Sequence, residues 1–234
     1  MTRMDDSVIP LWKELEYYKE FQKKLKSYLG EAEAESVLKE ALYMISLGTN
    51  DFLENYYMLP VRSAEYNIED YQNFLVEIAG NFITELHQLG GRKISLAGLA
   101  PIGCLPMERS RNVMRGGSCI ERYNDLAKEF NQKLQTLVDK LKKELASIQL
   151  VFSDPYDIFS EIIQNPSSYG YEDAGKSCCG TGTLEMGYWC DRYNPFTCRD
   201  ANKFVFWDSF HATEKTNGII ADYAANHSLS VFFN

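Results

Sequence analysis

The chain has 234 residues, of which 45% are hydrophobic and 24% charged, as in an ordinary globular domain with a substantial core. Its 24 basic and 33 acidic residues give a formal net charge of -9, which disfavours binding to nucleic acid or to an anionic membrane surface. No run approaches the roughly 20 apolar residues of a membrane span, and the opening Met-Thr-Arg-Met-Asp-Asp lacks the apolar core of a secretory signal. We therefore expect a single domain over residues 1–234, with no nucleic-acid partner, no membrane span and no targeting signal in this sequence.

Hydrophobic periodicity predicts the first elements. Apolar residues at helical spacing predict an amphipathic helix over 11–29, which Gly30 ends, and a short helix over 32–40 follows. The unbroken apolar run 41–47 is typical of a strand buried on both faces in a parallel sheet. A tyrosine-rich loop is expected after this strand.

The same patterns continue along the chain. A long helix is predicted from Tyr71 to Leu89, a strand over 93–99, a helix from Tyr123 to Leu145 and a strand over 148–152. Strands that alternate with helices in this way predict a three-layer α/β/α sandwich with a parallel sheet.

The remaining residues differ from the earlier ones in composition. From 165 to 203 the sequence is rich in Gly, Cys, Asn and Pro, which predicts a long loop held by cysteines rather than a second domain. A last helix is expected after Thr213, which suits an N-cap, and runs to about residue 226.

The six cysteines favour disulfides over a zinc site. They are confined to Gly-rich, loop-like surroundings, at positions Cys104, Cys119, Cys178, Cys179, Cys190 and Cys198. The first two stand far from the others, and the adjacent pair does not match the Cys-x-x-Cys spacing of a metal knuckle, so no metal is expected. Disulfides indicate the secretory route, with which the sequon Asn226-His227-Ser228 is compatible. Which cysteines pair stays open at this point.

One candidate site follows the first predicted strand. In open parallel sheets, ligands bind beyond the carboxyl ends of strands, and Gly48-Thr49-Asn50-Asp51 occupies such a position. Gly48 permits a tight exit and the close approach of a substrate, and Asn50 can aim N–H donors at a developing oxyanion. The alternative is that Asn50 and Asp51 only cap a turn, as these residue types often do.

A second candidate is the segment around Asp208 and His211. A carboxylate three residues before a histidine can fold back to the Nδ1–H of the ring and leave Nε2 as a base towards a hydroxyl. Such a pair is also common as a purely structural contact. His211 gains weight because the other two histidines have simpler explanations: His87 within a helix and His227 beside the C-terminus.

No serine of the chain completes this pair in our interpretation. There is no Gly-x-Ser-x-Gly segment, and Ser46 is expected inside a strand rather than at its exposed end. Ser209 is too close in sequence to reach Nε2 of His211 comfortably.

Four segments together resemble the plant GDSL esterase/lipase (SGNH hydrolase) family, in the order of the family's own motifs. Gly48-Thr49-Asn50-Asp51 is similar to its Gly-x-Asn-Asp block, and the segment 206–214 is similar to its Asp-x-x-His block, with Ala212 where the family usually has proline. Between them, the segments 99–106 and 178–182 also match. The resemblance extends over nearly the whole chain.

The resemblance implies an activity and a set of roles. It implies hydrolysis of acyl or acetyl esters, in small molecules or polymers, by a secreted enzyme without a cofactor. Asn50 would be the oxyanion donor, Gly48 would lie against the substrate, His211 would be the general base and acid, and Asp208 would orient it. The family's nucleophile lies in a Gly-Asp-Ser segment after its first strand, and this sequence contains neither. The sequence therefore predicts an incomplete hydrolase domain, and the alternative is a non-catalytic product that binds ligands or partners.

Overall fold

The structure is a computed structural model that describes residues 8–59, 61–190 and 194–233. Contacts divide these residues into two compact units. The first contains the described residues of Met1–Ser46, Asn50–Leu96 and Lys133–Phe152. The second contains those of Leu47–Thr49, Ala97–Gln132 and Ser153–Asn234. The expectation of a single domain stays a prediction.

Helices and strands alternate through most of the described chain. The α-helices are α1 (Leu11–Leu29), α2 (Glu31–Glu40), α3 (Val61–Glu65), α4 (Ile68–Gln88), α5 (Pro106–Arg111), α6 (Glu121–Glu144), α7 (Tyr156–Gln164) and α8 (Glu214–His227). The strands are β1 (Leu42–Ser46), β2 (Lys93–Ala97), β3 (Gln149–Ser153), β4 (Asp173–Ser177) and β5 (Phe204–Phe206). Among the described residues, no helix is long and apolar enough to cross a bilayer.

The first sheet consists of three strands in the order β1-β2-β3. At one end of the β2–β3 pair the amide of Gln149 donates to the carbonyl of Arg92, and at the other end that of Gly98 donates to Ser153. Because both residue numbers increase in the same direction, the two strands run parallel. The middle of β2, from Ile94 to Leu96, is buried, whereas in β3 only Leu150 is. In β1 only Ile45 is buried and Met44 is 68% exposed, so the expectation that the run 41–47 is buried on both faces is wrong. The predicted α/β class with a parallel sheet is thus confirmed.

The second sheet corrects the prediction for residues 165–203. This segment is not a continuous loop, because it contains β4, which pairs in parallel with β5. Asp173 lies opposite Phe204 and Ser177 opposite Phe206, with an irregularity between them. The sequence of β4, Asp-Ala-Gly-Lys-Ser, lacks an apolar run, so its pairing depends on the tertiary contact with β5, whose Val205 and Phe206 are fully buried.

Three helical segments also differ from the prediction. The prediction of a loop for the tyrosine-rich segment after β1 is wrong, because this segment forms a π-helix over Asp51–Met58, which α3 follows. A π-helix bonds residue i to i+5, so its side chains do not repeat with the 3.6-residue period that marks an α-helix. The aromatic rings of this segment pack on α4, where Tyr56 stacks on Tyr71 at 5.2 Å between centroids. The short α5 and α7 were also not predicted.

Candidate active site

Asp208 and His211 lie in a short loop between β5 and α8. Residues Phe206 and Ala212 form an antiparallel bridge, and the amide of Trp207 donates to the carbonyl of His211 at 2.8 Å. The loop therefore closes on itself between the strand and the helix. Thr213 then starts α8 as predicted, since its side chain accepts a hydrogen bond from the amide of Thr216.

The two side chains meet within this loop. Asp208 is 2% exposed, and its Oδ2 lies 2.8 Å from Nδ1 of His211. Its Oδ1 accepts hydrogen bonds from the amides of Phe210 at 2.8 Å and of His211 at 2.6 Å. These donors offset the cost of burying a carboxylate.

The histidine ring faces outward from this contact. Its side chain is 66% exposed, and both carboxylate oxygens of Asp208 lie within 2.9 Å of Nδ1. A hydrogen on Nδ1 shared with the carboxylate leaves the Nε2 lone pair free to accept a proton. The contact expected from the Asp-x-x-His spacing is present, and the catalytic roles of the two residues stay predictions.

The other two histidines contact backbone carbonyls. Nε2 of His87 lies 2.9 Å from the carbonyl of Ala146. The ring of His227 stacks on Tyr223 with centroids 4.1 Å apart, and its Nδ1 lies 2.7 Å from the carbonyl of Tyr223. Neither resembles the arrangement of His211, whose partner is a buried carboxylate.

Gly48 has a structural reason to be glycine. Its φ is +110°, and a Cβ there would lie 3.0 Å from Cε1 of Phe130 and 3.3 Å from Cδ2 of Leu99. Only glycine adopts such a backbone conformation readily, so Gly48 provides the tight exit from β1 that was expected. Its contact with substrate stays a prediction.

Asn50 stands at the start of the π-helix. Its side chain is exposed and makes no capping hydrogen bond to that helix. The turn-capping alternative therefore finds no support in the contacts of this side chain. Asn50 belongs to the first unit and the Asp208–His211 pair to the second, so its role as oxyanion donor stays a prediction.

Two serines bear on the search for a nucleophile. Ser209 is fully buried, and its Oγ has no hydrogen-bond partner among the described residues. Its amide donates to the carbonyl of Glu185 at 2.9 Å, and its carbonyl accepts from the amide of Met107. Ser46 is the last residue of β1 and is exposed, so the expectation that it lies inside the strand is wrong.

A buried asparagine that the sequence did not single out ties together the ends of β2 and β3. Asn131 is 3% exposed, and its Oδ1 accepts from the amide of Leu99 at 2.7 Å. Its Nδ2 donates to the carbonyl of Leu99 at 2.9 Å and to Oδ1 of Asp154 at 3.1 Å. Burial raises the pKa of Asp154, although the hydrogen bonds from Tyr156 and Asn131 oppose this. Asn131 is a polar residue within the apolar stripe of a helix, and this pattern in the sequence could have indicated its role.

All six cysteines form disulfides, which confirms the preference over zinc. The pairs are Cys104–Cys119, Cys178–Cys198 and Cys179–Cys190. Within the part of the chain that the structure describes, no three His, Cys, Asp or Glu side chains converge as a metal ion would require.

A parallel-stranded α/β fold with a buried aspartate on Nδ1 of an exposed histidine is compatible with the class of hydrolases that use histidine as a proton carrier. The comparisons with known proteins identify the family. The family model of the GDSL-like lipases/acylhydrolases matches residues 10–224, and the chain belongs to this family.

Similar proteins of Arabidopsis thaliana cover nearly all of this chain. GDSL esterase/lipase At4g26790 is 55% identical over 226 residues, which are 97% of this chain and 64% of that protein. GDSL esterase/lipase At2g04570 is 56% identical over 97% of this chain and 65% of its own length. GDSL esterase/lipase At2g42990 is 52% identical over 96% of this chain and 64% of its own length. The chain therefore spans slightly less than two thirds of the curated relatives it matches.

Proposed function

We propose that this chain provides the histidine, the aspartate and one oxyanion donor of a Ser-His-Asp ester hydrolase that acts on acyl or acetyl esters of lipids or polymers. The observation that carries the proposal is the contact of the buried Asp208 with Nδ1 of His211, whose ring is otherwise exposed. Membership of the GDSL-like lipases/acylhydrolases supports the same chemistry.

The roles follow from the positions of the protons. Nε2 of His211 takes the proton of a serine hydroxyl while the serine oxygen attacks the acyl carbonyl, and the same nitrogen then gives that proton to the leaving alcohol. Asp208 keeps Nδ1 protonated and stabilises the imidazolium that forms between these steps. In a second half-cycle, water replaces the serine and releases the acid.

Asn50 is the proposed donor to the oxyanion. Its exposed amide is not used in capping, so its N–H groups are available to a substrate oxygen. A single donor of this kind contributes on the order of 3 kcal/mol to the stability of the transition state in other acyl-transfer enzymes.

The nucleophilic serine is proposed to come from a family segment with Gly-Asp-Ser that is not among these 234 residues. Ser209 does not suit the role because it is fully buried. Secretion is proposed as well, and the three disulfides support it.

Two experiments test the proposal. The chain alone should neither hydrolyse p-nitrophenyl acetate above background nor react with a fluorophosphonate probe. When a family segment with Gly-Asp-Ser is fused ahead of it, both activities should appear. In the fusion, Asp208→Asn should lower kcat by about 10⁴-fold, the loss typical of a triad aspartate.

The outcomes separate the two interpretations of the chain. Labelling of the chain alone that His211→Ala abolishes would show that one of its own serines is the nucleophile. A folded fusion without activity would favour the alternative, a non-catalytic product that binds ligands or partners.

A further inference from the structure

The segment from Cys179 to Cys190, which its disulfide closes into a loop, touches the Asp208 loop at three points. The amide of Cys179 donates to the carbonyl of Trp207 at 2.9 Å. The carbonyl of Glu185 accepts from the amide of Ser209 at 2.9 Å. The amide of Gly187 donates to Oδ2 of Asp208 at 3.4 Å. One short segment thus contacts three consecutive residues, with Asp208 in the middle.

The contact of Gly187 differs from the other hydrogen bonds to this carboxylate. Those from the amides of Phe210 and His211, and the contact with Nδ1 of His211, all come from the loop that carries Asp208. Such local contacts move with the loop and do not anchor it. Gly187 approaches the oxygen that lies nearest to Nδ1, at 3.4 Å, from a separate part of the chain.

The Cys179–Cys190 disulfide restrains the segment that carries Gly187. A turn of 3-10 helix over Gly187–Trp189 leads into Cys190, whose amide donates to the carbonyl of Gly187. Apolar burial contributes little on either side of this glycine, since Leu184 is 63% exposed and Trp189 is 76% exposed. A cross-link restricts such a segment without the need for a packed core.

We propose that the Cys179–Cys190 segment is a positioning element for the Asp208–His211 pair, and that the amide of Gly187, fixed by the disulfide, sets the orientation of the Asp208 carboxylate. The inference rests on the proposed function, because a carboxylate that orients His211 matters for catalysis only if His211 carries a proton. Gly187 is a positioning residue, since it acts through Asp208.

The tautomer of His211 reports on this positioning without any catalytic assay. Long-range ¹H–¹⁵N correlation spectra above neutral pH distinguish a hydrogen on Nδ1 from one on Nε2, and the chain has three histidines to assign. We expect the Nδ1–H form in the unaltered protein and a shift towards Nε2–H in Asp208→Asn, which sets the scale. Because the spectrum does not depend on turnover, failure of the esterase proposal and failure of this inference are distinguishable.

The first test removes the disulfide. In Cys179→Ser/Cys190→Ser we expect the tautomer to move towards that of Asp208→Asn, and the amide of His211 to exchange its hydrogen about tenfold faster or more. The matched control is Cys104→Ser/Cys119→Ser, which opens a disulfide of similar separation, 15 residues against 11. Equal changes in the two folded proteins would overturn the inference, and so would an unchanged tautomer.

The second test leaves every disulfide in place, so it tests the inference even if Cys179→Ser/Cys190→Ser does not fold. Gly187 has φ +58°, and a Cβ there meets nothing within 4 Å, so a substitution acts through the backbone alone. Asparagine tolerates this conformation and valine does not. Gly187→Asn should keep the Nδ1–H tautomer and Gly187→Val should lose it. An unchanged tautomer in a folded Gly187→Val protein would refute the positioning role.

Discussion

Asn131 offers the sharpest test of what joins the ends of β2 and β3. In Asn131→Ala the amide and the carbonyl of Leu99 lose their side-chain partners in a place where Leu99 is only 2% exposed. A buried polar group left without a partner costs about 1–3 kcal/mol. With two such groups, the free energy of unfolding should fall by about 4 kcal/mol.

Asn124 provides the matched control on the same helix. It is also 3% exposed, but its one short hydrogen bond joins Oδ1 to the amide of Gly103 at 2.9 Å. Its Nδ2 makes longer contacts, at 3.4 Å to Sγ of Cys104 and at 3.4 Å to Glu121. Asn124→Ala should therefore cost about 2 kcal/mol, half the loss expected for Asn131→Ala.

Denaturation in guanidinium chloride under oxidising conditions measures both values. The slope of the free energy against denaturant should stay constant, so that the midpoints report stability alone. A loss for Asn131→Ala that is no larger than that for Asn124→Ala would refute this account of the β2–β3 ends.

Three further changes have expected effects on the same free energy of unfolding. Burial raises the pKa of Asp154 above its ordinary 3.8, so the folded protein binds this proton more tightly than the unfolded chain does. The free energy of unfolding, relative to that of Asp154→Asn, should therefore increase as the pH falls through the raised pKa towards 3.8. Unfolding curves of both proteins at pH 7 and at pH 3.5 measure this difference, and the opposite trend would contradict the raised pKa. Ser209→Ala removes a buried hydroxyl without a described partner and should stabilise the protein by about 1 kcal/mol, whereas a loss would show that Oγ has one. Gly48→Ala should lower the stability by about 1–3 kcal/mol, through backbone strain and the 3.0 Å approach of its Cβ to Phe130. Gly218→Ala, in the open interior of α8, should raise it by about 0.5–1 kcal/mol, and equal effects of the two changes would contradict this account of Gly48.

The sequence predicted best the elements whose signal is local. The helix over 11–29 was predicted with its observed bounds, because its apolar residues repeat at helical spacing and Gly30 follows. The N-cap at Thr213 was predicted for the same kind of reason, a residue type with one strong preference. The strand β4 was missed because its residues form a strand only beside β5, which begins 27 residues after β4 ends.

In the candidate site, too, the local contact could be predicted from the sequence and the contact between distant segments could not. Asp208 and His211 are three residues apart, so one loop brings them together, and the sequence was enough to expect their contact. The approach of Gly187 to Asp208 depends instead on which of several cysteines closes its segment. The spacing of the cysteines does not determine that pairing, so no sequence pattern could have indicated this donor.

The adjacency of Cys178 and Cys179 has a consequence for how the protein matures. Their two disulfides are nested, since the bridge to Cys190 lies within the span of the bridge to Cys198. Consecutive residues of an extended chain point to opposite sides, and a slip of one residue at the end of β4 would exchange the two partners. Oxidation before β4 has found its register beside β5 would therefore trap a swapped isomer, and recovery from it requires thiol–disulfide exchange. We expect the yield of native protein after reduction and refolding to depend on a disulfide isomerase or a glutathione buffer.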